Sequence, residues 1–439
     1  QPGRRVLAER DADHQVLGQS AGLPLFLGNL ETCSRAVEDK YGKQVWPPDD
    51  VWILNDSYLG GTHLNDVTIF APVFVDGNHV GFSATRAHWM DMGSKDVGGS
   101  MDSVDIFQEG LRMGPVKLHE GGRETFIVDI ISTNVRFPYQ TIGDMNAMIA
   151  AMRMGTNRMQ ELVTRYGIAT IEAAREEIFR QTEAIERETV AMIPDGVYEA
   201  DGFLDNDGID LHTPIPIKLR ITVDGDGIDF DVTESADQTR GPVNCGVAQA
   251  VSALRVGYKL LISPDTNSNG GSFRPLSTQV REGSVLGAIT PAACQWYFSH
   301  LALLIDLVSK ALAHALPGRV VAASHGDSMI INTAGTDPRT DRAWVTMEAT
   351  LGGWGAWDGS DGESALINSV NGSIKDLPIE MVETKYPFRI SAYRIEQDTG
   401  APGQWRGGNG ATREYEFLSD CNVGLWFERS RTRPWGLFG

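Results

Sequence analysis

Residues 66–89 constrain the fold more than any other stretch of the chain. VTIFAPVFV (67–75) and HVGFSATRAHW (79–89) flank Asp76-Gly77-Asn78, and two β-rich runs around a Gly-containing turn predict a hairpin. With a three-residue loop, Val75 pairs with His79, and counting outward sets Asp66 opposite His88, their Cβ atoms about 5 Å apart. A two-residue loop would set His88 against Val67 instead. His63 lies three residues before Asp66, just after Gly60-Gly61, a pair that lets the chain turn sharply. Two imidazoles and a carboxylate then meet at the open end of one hairpin, a donor set suited to a divalent metal with an open position. An isolated histidine near a strand end is more often a hydrogen-bonded structural residue. The expectation rests on convergence of the three side chains, not on the unspecific HxxD spacing.

NDSYLGGTHLNDVTIFAPVF (55–74), AHWMDMG (87–93), GSMDSVDIFQEGLRMGPVKL (99–118) and NVRFPYQTIGDMNAMIAAMRMG (134–155) resemble the hydantoinase B/oxoprolinase family. The likeness continues in order through GPVNCGVAQA, NSNGGSFRPL, REGSVLGAITPAA, LGGWGAWDGSDG, PIEMVETKYP and QWRGGNGATREYEF. The resemblance implies the metal-bearing catalytic subunit of an ATP-dependent cyclic-amide (hydantoin, 5-oxoproline or lactam) hydrolase. Alternatives are the metal-bearing subunit of a ketone carboxylase and a non-catalytic scaffold. It implies one divalent metal (zinc, manganese or iron) on His63, Asp66 and His88, and a hetero-oligomer with an actin-like, hydantoinase A-type subunit that handles ATP. It also implies that both ends of the chain are cut short. The family's fourth ligand is a carboxylate near the N-terminus. RRVLAERDADH (4–14) places Arg4 or Arg5 there, with Asp11 and Asp13 as alternatives. Hydrolase members usually read His-His-Ala-Asp where this chain reads His88-Trp89-Met90-Asp91. The expectation is that Trp89 walls the site beside the metal and dries it, which favours an enolate over a water nucleophile.

Several further side chains are candidates. Asp91, two residues past His88, could orient a histidine. Glu109 is a general base or simply a partner for Arg112. Arg86, Asn134 and Arg136 suit a substrate carboxylate or phosphate, against the alternative of structural pairing. Asp56 caps the turn that presents Gly60-Gly61. Neither LGGWGAWDGSDG nor GGNG (407–410) has the form of a nucleotide loop, so no ATP site is expected in this chain.

The remaining features set the class. A formal charge of −20 opposes nucleic-acid and anionic-membrane partners. No apolar run is long enough for a membrane span. Cys33, Cys245, Cys294 and Cys421 form no CxxC pair, which fits a reducing cytoplasm rather than a disulfide scaffold. The patterning predicts a mixed α/β (α+β) fold: a strand-rich metal-site region over 1–143, a helical segment over 144–193 and a mixed β/α region over 194–439, read together as one continuous family domain. Strands are expected at 51–54, 67–75, 79–85 and 126–131, and buried helices at 244–262 and 296–316. The cluster Met145, Met148, Met152, Met154 and Met159 reads as core filler.

Overall fold

The computed structural model describes residues 5–10, 14–19, 22–26, 29–43, 45–372 and 374–438. Its first layer is a seven-stranded sheet. The strands are β1 (Arg5–Arg10), β2 (Val16–Gln19), β3 (Val51–Leu54), β4 (Asp66–Val75), β5 (Asn78–His88), β6 (Val116–Glu120) and β7 (Arg123–Glu124), in the order β2-β1-β5-β4-β3-β6-β7. Helix α1 (Leu30–Tyr41) covers one face: Cys33 and Val37 pack with Trp46, Trp52, Phe70, Phe82 and Ala84. Helices α2 (Ile127–Asn134) and α3 (Pro138–Tyr166) cover the other, where Ile131, Met145, Met148 and Met152 meet Val67, Ile69, Ala87 and Trp89. Alternate residues of β4 and β5 feed these two cores, as the period-2 geometry of a strand buried on both faces requires.

The hairpin register is the expected one, reached by a different route. Asp66 opposes His88, but the loop has two residues, with Val75 paired to Asn78. Asp76 (φ 47°) and Gly77 (φ 79°) both adopt positive φ, the geometry of a type I′ turn. A bulge at Val80 between the pairs Phe74–His79 and Val73–Gly81 then restores the pairing.

The helical region begins earlier than expected. The run at 126–131 is the start of α2, not a strand. Short apolar runs fit either element, and burial of Ile131 on the sheet decides it. Helix α3 runs unbroken through Gly155, and α4 (Ile168–Val190) follows. Four of the five clustered methionines are buried against the sheet or its edge; Met154 is exposed.

The second half is built on a four-stranded sheet. Its strands are β8 (Gly196–Leu204), β9 (Ile215–Asp224), β10 (Gly227–Asp231) and β11 (Leu276–Gln279), in the order β11-β10-β9-β8. Ile215, Ile217, Leu219, Ile221 and Val223 alternate inward from β9. They share the largest core with α5 (Val247–Leu261) and α6 (Phe298–Ala311). Beyond it, β12 (Ile330–Asp337), β13 (Arg342–Ala349), α7 (Ile379–Lys385), β14 (Phe388–Ile395), β15 (Ala411–Phe417) and β16 (Cys421–Trp426) complete the chain. They form a three-stranded sheet (β13-β12-β16) and a two-stranded one (β14-β15). GGNG is a closely packed irregular loop leading into β15 rather than a turn: a Cβ on Gly353 would lie 2.0 Å from the Gly408 carbonyl oxygen. Among the described residues no helix is long and apolar enough to cross a membrane.

Candidate metal centre

The segment that carries His63 is held from both sides. Asp56 accepts a hydrogen bond from Tyr58 N (3.0 Å), and its carbonyl accepts from Gly61 N (2.8 Å). Gly60 sits at φ 105°, and a Cβ on Gly61 would lie 2.5 Å from the Asp56 carbonyl oxygen, so this turn requires its glycines. The Gly60 carbonyl accepts from the Arg86 guanidinium (2.7 Å), and the Gly61 carbonyl accepts from Gln249 Nε2 on α5. The turn is thereby fixed to β5 and to the second lobe.

His63, Asp66 and His88 converge. His63 Nε2 lies 3.0 Å from His88 Nδ1, and Asp66 Oδ1 lies 3.2 Å from the first and 3.1 Å from the second. They form the one group of its kind among the described residues, and its ligand atoms all lie within 4.8 Å of one another. His63 and Asp66 are buried, while the His88 side chain keeps 33% exposure and forms the open side.

Thr62 and two residues from the second half of the chain orient these groups. The Tyr297 hydroxyl (2.9 Å) and Thr62 Oγ1 (2.5 Å) both donate to Asp66 Oδ2, which leaves Oδ1 turned toward the imidazoles. The Gln295 carbonyl oxygen lies 3.0 Å from His63 Nδ1. An N–H at Nδ1 satisfies that contact and turns the lone pair of Nε2 inward. Burial disfavours a protonated His63, but Asp66 beside it outweighs burial and leaves its pKa above the usual value. For Asp66, burial pushes the carboxyl up, and the two imidazoles more than reverse it, to well below the usual range. Burial, with the Asp66 charge beside it, pushes the Tyr297 phenol well up, so this hydroxyl stays a donor.

The donor set fits a divalent ion. Three lone-pair atoms 3.0–3.2 Å apart repel unless a proton or cation lies among them. Ligands at about 2.1 Å from one ion stand roughly 3.0 Å apart in adjacent octahedral positions and about 3.4 Å apart in tetrahedral ones.

The profile of the hydantoinase B/oxoprolinase family matches residues 7–439. The chain belongs to that family. The B-type component of a putative D-/L-hydantoinase from Pseudomonas sp. (strain NS671) is 32% identical over 440 residues, covering 97% of this chain and 73% of the relative. The crystal structure of the ATP-dependent caprolactamase from Pseudomonas jessenii superposes with a TM-score of 0.90 at 27% identity, covering 96% of this chain and 74% of that one. A nucleotide-free acetone carboxylase structure superposes at 0.91 over 99% of this chain and 61% of that one, but at 19% identity that likeness concerns the fold.

The other sequence candidates fall in different places. Arg86 is fully buried and donates to Thr68 Oγ1 (2.7 Å), Asn29 Oδ1 (2.8 Å), Gly60 O (2.7 Å) and Cys33 Sγ (3.1 Å). It is a post under the His63 turn rather than a substrate anchor. Asp91 is buried and bonds Arg136 Nη1 (2.9 Å), Arg136 N (2.6 Å) and Gly93 N (3.3 Å), so its carboxylate orients a loop and not a histidine. Arg136 is consumed by that ion pair and by the Ser94 carbonyl (2.6 Å). Asn134 is exposed at the end of α2 and caps the Ile130 carbonyl (2.8 Å). Glu109 does not pair with Arg112, which instead reaches Asp56 (3.7 Å). It is fully buried beneath the site. Burial pushes its carboxyl up to about 7, against the pull of the Cys294 amide, Ser103 and the Gln295 amide. Trp89 does not wall the site. It alternates to the opposite face of the sheet from His88, is fully buried, and donates Nε1–H to Met148 Sδ (3.2 Å) on α3. Arg4, Asp11 and Asp13 lie outside the described residues, as does the side chain of Arg5. Sequence reasoning missed Gln295 and Tyr297. Their signal is a pair of polar side chains just ahead of a mostly apolar helix, since a buried phenol or amide needs a partner.

Proposed function

We propose that this chain is the metal-bearing subunit of an ATP-dependent hydrolase of cyclic amides, working with a separate ATP-binding subunit. The observation that carries this reading is the convergence of His63 Nε2, Asp66 Oδ1 and His88 Nδ1 within 3.2 Å, each oriented by a buried partner or left open to solvent. A hydantoin and a caprolactam, the compounds in the relatives' names, are both cyclic amides. A divalent ion bound by these three residues supplies Lewis acidity.

The chain's own groups do the rest. Tyr297 and Thr62 hold Asp66 so that one oxygen faces the site, and the Gln295 carbonyl holds the His63 proton on Nδ1. The exposed edge of His88 marks where substrate enters. Transfer of a phosphoryl group from ATP to the amide oxygen, in the partner subunit, makes the ring carbon electrophilic. Attack by water and cleavage of the C–N bond leave an acyl phosphate, which a second water splits into carboxylate and phosphate; a lactam then yields an open-chain amino acid and a hydantoin an N-carbamoyl amino acid. Trp89, which would favour carboxylation as a dry wall, lies on the far face of the sheet.

Two measurements test this. His88→Ala should lower bound divalent metal below half the parent's stoichiometry while the circular dichroism spectrum is retained; equal metal content would sink the site assignment. The complex reconstituted with its ATP-binding subunit should open lactams or hydantoins with oxygen from water. A product that requires bicarbonate and contains its carbon would replace hydrolysis with ketone carboxylation.

A further inference from the structure

Glu109 is the least explained buried charge near the site. It is fully buried, and among the described residues no Lys or Arg lies within ion-pair distance of it. Its carboxylate accepts from Cys294 N at both oxygens (2.9 and 3.0 Å), from Gln295 N (2.9 Å) and from Ser103 Oγ (2.8 Å). Every one of these donors belongs to a loop. Two are the backbone amides that immediately precede the carbonyl facing His63 Nδ1.

The Gln295 side chain has equally little freedom. Its Nε2 lies 3.1 Å from the same His63 Nδ1 and 3.3 Å from Asn65 Oδ1. A Cβ on Gly99 would stand 2.7 Å from that Nε2, so only glycine leaves room there. One residue thus offers a single ring nitrogen both an acceptor, its carbonyl, and a donor, its amide. The first favours a proton on Nδ1. The second, together with Asp66 Oδ1 at 3.2 Å from Nε2, favours a bare Nδ1 and a proton on Nε2, which would block the lone pair that points at Asp66 and His88.

We propose that Glu109 decides between these two by pinning the 294–295 backbone, so that the Gln295 carbonyl holds the His63 proton on Nδ1 and keeps Nε2 free for a metal ion. Glu109 and Gln295 are positioning residues: they touch neither substrate nor ion, and they act through His63. Partners that orient a ligating histidine in this way typically change metal affinity about 10–100-fold when removed. The inference deepens the metal-site reading and depends on it for the affinity arm alone.

Glu109→Gln keeps size and shape but replaces one acceptor oxygen with an NH2 group that, whichever way the amide turns, faces the Cys294 N–H. The full chain is prepared metal-free with 15N-labelled histidine at a pH high enough to keep His63 neutral against the pull of Asp66, and long-range 1H–15N NMR reads the His63 tautomer. Zn2+ affinity is measured by competition with a chromophoric chelator. Parent protein should show His63 protonated at Nδ1. Glu109→Gln should shift it toward Nε2–H and weaken Zn2+ binding at least tenfold. An unchanged tautomer together with affinity within twofold would overturn the proposal. Gln295→Met, which removes the amide and leaves the carbonyl, should keep the proton on Nδ1. A switch to Nε2–H in that variant would assign control to the side chain and overturn the brace, even if Glu109→Gln does not fold. If the parent binds no Zn2+, the metal reading fails, while the tautomer comparison still judges the brace.

Discussion

Replacing Arg86 with methionine separates a structural post from a substrate anchor. The guanidinium donates to three oxygens, Thr68 Oγ1, Asn29 Oδ1 and Gly60 O, and to one sulfur, with no carboxylate within ion-pair distance among the described residues. Methionine fills much of the volume and leaves those acceptors dry. Each buried oxygen stripped of its donor costs about 1–3 kcal/mol. Against this, a charge that no longer needs burial returns several kcal/mol. The net destabilisation should be about 3 kcal/mol, read as a lower midpoint in guanidinium unfolding. Because Gly60 O loses its anchor, the His63 turn should loosen, and metal affinity should fall with stability. A variant as stable as the parent, with normal metal content and a KM raised tenfold or more, would refute the reasoning and return Arg86 to the substrate.

Two other outcomes follow from buried groups. Burial pushes the Asp327 carboxyl up to about 7 against the pull of Ser328 N–H and Ser299. The folded chain therefore keeps a proton that the unfolded chain releases near the ordinary carboxyl value of about 4, and stability falls as pH rises from about 4 to 7. Asp327→Asn has no such proton to lose, so in urea unfolding its stability relative to the parent should rise over that window by about 2–4 kcal/mol; a difference independent of pH would contradict this. Trp89→His should lower stability by roughly 2–4 kcal/mol through lost packing on α3 and leave the bicarbonate dependence of the reaction as it was; a changed dependence would put Trp89 back beside the substrate.

The hairpin was legible because strand periodicity and opposed pairs are local; the count that set Asp66 opposite His88 assumed a three-residue loop, and the two-residue turn with its bulge at Val80 arrives at the same register. Fold class was legible for the same reason: period-2 runs such as β9 and long amphipathic runs such as α4 announce themselves. What remained hidden was non-local. Gln295 stands 232 positions from the ring it faces, and no pattern within either segment encodes that approach. Arg86, Asp91 and Arg136 look like ligand-binding groups in sequence, because a charged side chain carries no mark of the loop carbonyls and amides it will satisfy. Trp89 was misplaced by assuming that neighbours of a ligand face the ligand. On a strand the next residue faces away.

The β4–β5 hairpin carries one more residue on its second arm than a two-residue turn needs, and Val80 is where that surplus sits. The surplus has a second home. A three-residue turn pairing Val75 with His79 and Phe74 with Val80 would absorb it, and every pair from Val73–Gly81 to Asp66–His88 would stay in place. Removing Val80 outright would likewise leave a plain hairpin with those same pairs. The tip can therefore be rebuilt without the metal end registering it. The tolerance runs one way: a residue added between Gly81 and His88 finds no such slack. It would bring Ala87 opposite Asp66 and turn the imidazole of His88 into the methionine-lined face beneath α3. Length variation in this hairpin should thus gather at its tip and stop short of Gly81.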